Sequence, residues 1–204
     1  MKTNRRMADL LAGSAGAAPI ELPGKLHTLV NLGFKEVDGC VFFRDFFRHD
    51  RADGLPLHQD ATGYECAVNG FHLEDYLERD AAPEPVTLAA TALACARFLA
   101  ARLEHFSTDP FRIIASVANG ASVLRFHKLR EGERWLRDDL EGYREEAVLV
   151  LDSRVSAGDA SAQRRGRGPM REEHAPTRFE RLKAVRSGHP PSAKSPPGKL
   201  GPRP

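Results

Sequence analysis

Histidine is the side chain whose ordinary pKa lies nearest neutrality, so the eight histidines of this 204-residue chain are the first candidates for acid–base or metal chemistry. His49, Asp50, Asp53, His58 and Asp60 crowd one Gly- and Pro-containing segment and bring two imidazoles and three carboxylates within reach of a hard or borderline cation. The two histidines stand nine positions apart with no regular element to fix them. That spacing matches no established ligand signature, so a solvated loop without a metal is expected. His72 and His127 fall on expected strands, and two imidazoles facing one another over a sheet are the minimum for acid–base cleavage of a phosphodiester. The two-histidine phosphoesterases carry His-x-Ser or His-x-Thr twice. Here His72 precedes Leu73-Glu74 and His127 precedes Lys128-Leu129, so neither matches, and no catalytic residue is assigned.

Nucleophiles and phosphate cradles are equally scarce. Cys40, Cys66 and Cys95 are odd in number, far apart and set among apolar neighbours, which predicts buried, reduced thiols rather than a disulfide framework or a metal pair. There is no Gly-x-Ser-x-Gly elbow, no phosphate loop ending in Gly-Lys-Ser or Gly-Lys-Thr, and no dinucleotide fingerprint. No cofactor is implied.

Surface chemistry is left. Asp138, Asp139, Glu141, Glu145 and Glu146 form an acidic cluster that encloses Tyr143 and follows Trp135. Aromatic anchors ringed by carboxylates suit a basic partner surface, because the rings supply desolvated contact and the charges steer association. The competing reading is a solvated face with Trp135 and Tyr143 turned into the core.

These residues must be positioned by the body of the chain. Pro23 to Gly33 places Leu26, Leu29, Val30 and Leu32 at near-helical spacing between a Pro and a Gly, which predicts a short helix. Three two-residue turns, Asp38-Gly39, Asn69-Gly70 and Asn119-Gly120, each lie between β-prone runs and predict three hairpins: 34–37 with 40–47, 64–68 with 71–76, and 111–118 with 121–129. Leu88 to Phe106 carries Leu88, Ala92, Cys95, Leu99, Leu103 and Phe106 on one face and reads as the central helix. Ala147 to Leu151 is a continuous apolar run that suits a buried strand. The expected class is therefore α+β: an antiparallel sheet built from hairpins and covered by one long and one short helix. Helices do not alternate with strands, which argues against a doubly wound fold.

Composition divides the chain into three stretches. Residues 1–19 read as a flexible N-terminal segment, 20–153 as a single domain, and 154–204 as a disordered Arg/Pro/Gly-rich tail holding eight of the fourteen prolines. The formal net charge of +2 hides a contrast, since 154–204 carries twelve Lys or Arg against four Asp or Glu, leaving eighteen against twenty-four in the rest. The tail could hold nucleic-acid phosphates weakly and without sequence preference, but Phe179 is its only aromatic for base stacking. Arg97, Arg102 and Glu104 interrupt the most apolar stretch, so no membrane span is expected, and a cytoplasmic address is favoured.

An acidic α+β body with hairpins and one covering helix resembles the small immunity proteins of bacterial toxin systems. The resemblance is one of build and surface charge over residues 20–153, so no binding residue is carried over by motif. It implies a non-catalytic module that covers a basic partner surface, such as a toxin's active site; the residues expected to do so, Trp135, Tyr143 and the neighbouring carboxylates, come from the residue pattern above. Two other classes stay open: a small hydrolase or nuclease-like enzyme using His49, His58 or His127 in a cleft over the sheet, and a nucleic-acid-associated protein acting through the tail.

Overall fold

Alternation along Phe111, Ile113, Ala115 and Val117 demands a strand with one apolar face, and the computed structural model of the chain, which describes residues 1–14, 20–47, 58–77 and 83–153, builds its sheet around that strand. The elements in chain order are β1 (Lys2–Thr3), α1 (Arg5–Gly13), α2 (Gly24–Asn31), β2 (Phe34–Val37), β3 (Cys40–Phe43), α3 (Ala61–Val68), β4 (Phe71–His72), α4 (Pro85–Phe106), β5 (Phe111–Ala118), β6 (Ala121–Lys128) and β7 (Ala147–Asp152). Five strands form an antiparallel sheet in the order β1-β7-β5-β6-β4, and β2 pairs with β3 as a separate hairpin. The class is α+β, as the residue pattern predicts.

Two of the three expected hairpins are present. Asp38-Gly39 and Asn119-Gly120 both turn with positive φ at each position, 50° and 73° in the first and 52° and 74° in the second. Such a turn matches the right-handed twist of the strands it joins, and Asp or Asn followed by Gly tolerates it at least cost. Asn69-Gly70 does something else. Residues 64–68 belong to α3, Asn69 has φ −81° as the cap that ends the helix, and the segment expected to continue the second strand makes only β4 before a 3-10 turn at Leu73–Tyr76. Asp60 starts the helix by accepting the Gly63 N–H at 2.6 Å. The apparent period of two at Tyr64, Cys66 and Val68 is therefore not a strand signal. The deciding spacing is the four-residue interval between Glu65 and Asn69, which puts two buried polar side chains on one helical face.

The N-terminal residues also depart from expectation. Residues 1–14 belong to the packed body: β1 pairs with β7, and Met7 of α1 is fully buried in the main core. Asn4 fastens this corner. Its Oδ1 accepts the Met7 and Val148 N–H groups at 3.1 and 2.9 Å, and its Nδ2 donates to the Glu146 and Tyr143 carbonyls at 2.7 and 3.3 Å. The expected loop around His49 and Asp53 and the tail from 154 onwards lie outside the described residues.

The main core lies between α4 and one face of the sheet. Leu88, Ala92, Cys95, Leu99 and Leu103 are fully buried there with Phe111, Ile113, Phe126 and Leu149. Phe106, expected on the same face, is 38 % exposed, because it sits on the last turn of α4 beyond Leu103 and meets only the rim, with its ring 5.4 Å from that of Phe34. By length and composition α4 would also pass for a membrane span, in spite of its charges; core helices of soluble proteins pass the same test, and here half of the apolar window is buried inside the fold. The opposite face of the sheet is covered as well. Ile114, Val148 and Val150 alternate onto it and are buried, and the 129–146 connection between β6 and β7 contributes buried Leu136 and Leu140.

Candidate functional site

Two polar regions adjoin this second face. The first is centred on α3, which lies where the edge of β3 approaches the edge of β6. Glu65 is fully buried, and all four of its acceptor positions are taken. Oε1 receives the Val41 N–H at 2.6 Å and Arg130 Nη2 at 2.9 Å, while Oε2 receives the Lys128 N–H at 2.8 Å and Arg130 Nη1 at 2.7 Å. One turn later, Asn69 accepts the Phe43 N–H at 3.0 Å and donates to the Val41 and Phe126 carbonyls at 2.8 and 3.3 Å. Two helical side chains thus make the bonds that a strand ladder between β3 and β6 would have made, and an exposed sheet edge is avoided. Burial alone would lower the Arg130 guanidinium's pKa, but the hydrogen bonds and charge of Glu65 leave it raised. With every lone pair committed, this carboxylate has no capacity left for general-base work.

The second region runs across the sheet in rows set by register. His127 lies opposite Arg112, and Arg112 opposite Asp152, so the three share one row on the second face. Arg112 and Asp152 form a two-pronged pair, with Nε–Oδ1 at 2.7 Å and Nη2–Oδ2 at 2.8 Å, and that carboxylate holds the guanidinium's pKa up. His127 is 2 % exposed. Its Nδ1–H donates to the Lys128 carbonyl at 2.9 Å, which fixes the tautomer and leaves Nε2 as a buried acceptor with no partner among the described residues. Burial lowers its pKa and outweighs the bond to the Lys128 carbonyl and the charge of Glu65, which act upward; the positive charges of Arg112 and Arg130 add to the lowering. Two residues earlier on the same face, Arg125 is 7 % exposed, its guanidinium carbon 5.1 Å from the centroid of the Trp135 ring. Burial draws the Arg125 pKa down as well.

The expected binding cluster lies on the connection that covers this face, and its members have different roles. Trp135 is half-buried as the ring above Arg125. Tyr143 is half-buried and its hydroxyl accepts the Arg137 N–H at 3.1 Å, bracing the loop. Asp139 is exposed yet caps the 3-10 turn Leu140–Gly142 by accepting the Glu141 N–H at 3.0 Å. Glu141 accepts the Arg5 N–H at 2.8 Å and thereby places a carboxylate at the positive end of α1. Asp138 pairs with Arg134 at 2.8 Å in full solvent, Glu145 is exposed, and Glu146 is half-buried near Arg125. Beside them Arg5, Arg6, Asp9, Glu141, Tyr143 and Arg144 line a shallow groove of about 330 Å³ of mixed charge.

The remaining candidates do not converge. His58 stacks on Tyr64 with ring centroids 5.3 Å apart, and Asp60 is engaged as the α3 cap. Asp50, Asp53 and His49 lie outside the described residues. His72 is paired with Glu74 at 3.0 Å, and the other oxygen of that carboxylate accepts the Ser122 N–H at 3.0 Å. The three cysteines are buried and free of disulfides; burial pushes the Cys40 thiol up to about 11 and the Cys95 thiol up to about 12, so neither is a ready nucleophile. Among the described residues no group of three or more His, Cys, Asp or Glu is placed to hold a metal ion. Residue-pattern reasoning missed Glu65, Asn69 and Arg130. The signal available was the Glu-x-x-x-Asn interval, masked by the more familiar Asn-Gly turn.

Fold and site together define a small α+β domain in which Glu65, Asn69 and Arg130 are committed to structure while Asp138, Asp139, Glu141 and Glu145 stay exposed on the connection between β6 and β7. The chain belongs to the family described as Uncharacterized protein PM0498, whose model matches residues 2–164 and so takes in β1 and α1. It is 28 % identical over 112 residues to "Uncharacterized protein PM0498" of Pasteurella multocida (strain Pm70), a stretch that covers 50 % of this chain and 67 % of that protein. No solved structure matches it.

Proposed function

We propose that this protein is a non-catalytic binding module that acts in the cytoplasm and covers a basic surface on another protein through the 134–146 connection, in the manner of immunity and inhibitor proteins. The observation that carries this reading is a charged display on a backbone that is already fixed. Asp138, Asp139, Glu141 and Glu145 are exposed, while Leu136 and Leu140 anchor the same segment and the Tyr143 hydroxyl closes it on Arg137. A connection ordered in advance loses little conformational freedom on docking. The five carboxylates of 134–146 face three arginines, so the segment is acidic but also offers donors to a partner's own carboxylates.

The enzyme alternative draws less support, because His127 is only 2 % exposed and His72 is held by Glu74. The test is association with the product of the neighbouring gene, followed by stopped flow at 50 and 200 mM salt. The triple variant Asp138→Asn, Asp139→Asn, Glu145→Gln is expected to fold normally, to associate about tenfold more slowly at low salt, and to lose most of the salt dependence. Unchanged kinetics would remove the acidic connection from the interface. Hydrolysis of RNA, nucleotides or esters that disappears in His58→Ala or His127→Ala would replace the binding reading with the enzymatic one.

A further inference from the structure

Asn69 and Asn119 each precede a glycine. A glycine after Asn leaves the next backbone nitrogen unshielded by any Cβ, so that nitrogen can close a ring on the side-chain amide carbon, and asparagine is thermolabile for this reason. The reaction asks two things of the fold: an amide free to turn onto that nitrogen, and access of water. The two Asn-Gly pairs differ in both. Asn119 and Gly120 are exposed at the turn between β5 and β6, and nothing lies within 4 Å of where a Gly120 Cβ would stand. The ladder closes with Ala118 opposite Ala121, which leaves the Gly120 N–H outside it, and the Asn119 amide has no hydrogen-bond partner among the described residues. Asn69 is fully buried, and its amide would have to give up the Phe43 N–H and the Val41 and Phe126 carbonyls before it could turn. The space beside Gly70 is closed as well, since a Cβ there would meet the Cys66 carbonyl at 3.0 Å.

We propose that Asn119 is a site of spontaneous covalent modification, converting to isoaspartate and aspartate in the folded protein, while the same dipeptide at Asn69 is protected. The Gly120 nitrogen gives up its proton and attacks Cγ of Asn119. A bond from Cγ to that nitrogen forms, the Cγ–Nδ2 bond breaks, and the proton leaves with Nδ2 as ammonia. Water then opens the succinimide ring on either side of the nitrogen. Cleavage of the new bond gives an aspartate, and cleavage of the original peptide bond gives an isoaspartate whose main chain runs through Cγ. The isoaspartate puts an extra methylene into a chain that must reverse within two residues, at φ of 52° and 74°, so the Ala118–Ala121 pair can no longer close. A carboxylate also replaces the amide. The disturbance stays at the turn, because β5 is held along its other edge by β7, and β6 by β4 and α3.

The full chain is held at pH 7.5 and 37 °C, sampled over weeks, and digested with trypsin in a short, mildly acidic step. Asn119 is then read in the 113–125 fragment and Asn69 in the 52–79 fragment, each of which contains no other asparagine. Expected is an amide-to-acid mass gain in 113–125 that grows with time and divides into two chromatographic species, aspartate and isoaspartate. The 52–79 fragment should convert at least about tenfold more slowly, because Asn69 reacts only through opening of the α3 network. In guanidinium chloride the two fragments should convert at similar rates, which assigns the difference to the fold. Amide exchange of the aged protein should show protection lost over 117–122 and kept over 88–103. A 113–125 fragment that stays intact in the folded protein, equal conversion of the two fragments there, or a persistent difference in guanidinium chloride would each overturn the proposal.

Discussion

The α3 network and the 134–146 connection are made of the same side chains, Glu, Asp, Arg and one aromatic or amide brace each, and they behave in opposite ways. Around Glu65 every acceptor is filled by a backbone N–H or by Arg130, so the charges are spent on holding two strand edges together. On the connection Asp138 and Arg134 meet in full solvent, with side chains 75 % and 69 % exposed, and their geometry matters little to the fold. Acidic residues in a sequence therefore carry no function by type. Whether the backbone consumes their lone pairs separates a structural carboxylate from an available one.

The sharpest way to break the comparison is at Glu65. Glu65→Gln should destabilise the chain by about 3–5 kcal/mol in urea or thermal unfolding, because it leaves the Arg130 guanidinium half-buried and unmatched while the new amide brings donors to a site that needs only acceptors. Replacing Glu65 and Arg130 together by Met and Leu should recover much of that loss, since an apolar pair removes both desolvation penalties. If the single variant unfolds at the wild-type midpoint, the helix is not the tether between β3 and β6.

An intermediate effect is expected at Trp135, which lies on the connection but is partly buried over Arg125 of the sheet. Trp135→Ala should cost roughly 2 kcal/mol, less than a fully buried aromatic loses, since the residue is only partly buried and its ring lies by Arg125. A melt that barely moves while partner affinity falls by more than tenfold would make Trp135 a docking anchor. A melt that falls with affinity unchanged in the folded fraction would assign it wholly to the cover of the sheet.

These differences explain what could be read from residues alone. Asp38-Gly39 and Asn119-Gly120 were legible because the turn is local: two positive φ values suit those side chains whatever surrounds them. α4 was legible because its apolar face persists over twenty-two residues. Asn69-Gly70 carries the same local grammar, but its amide is used by Val41, Phe43 and Phe126, far away in sequence, and a tertiary demand overrode the turn. Residues 1–14 looked flexible for a related reason. A two-residue strand and one buried Met make little pattern, and Asn4 gains its meaning only from Val148 and the 143–146 carbonyls. At the candidate site, the clustering of carboxylates was visible in the sequence, whereas the division of labour among Asp138, Asp139 and Glu141 depends on backbone donors that no spacing reveals.

The smallest effect is expected at Asp138, and it tests the comparison from the other end. Asp138→Asn removes an exposed (i, i+4) ion pair with Arg134, an interaction of about 0.3–0.5 kcal/mol at most, so thermal unfolding should stay within error of the wild type. Asp139→Asn should be nearly as silent, because an amide oxygen can still accept the Glu141 N–H and cap the turn, whereas Asp139→Ala removes that acceptor and should cost about 1 kcal/mol. A gap between Asp139→Asn and Asp139→Ala, with none between Asp138→Asn and Asp138→Ala, would show that cap and charge are separable within two adjacent residues. If Asp138→Asn were instead as costly as Asp139→Ala, its carboxylate would have to be counted with Glu65 as part of the frame, and the exposed charge of the connection would no longer be free to steer a partner.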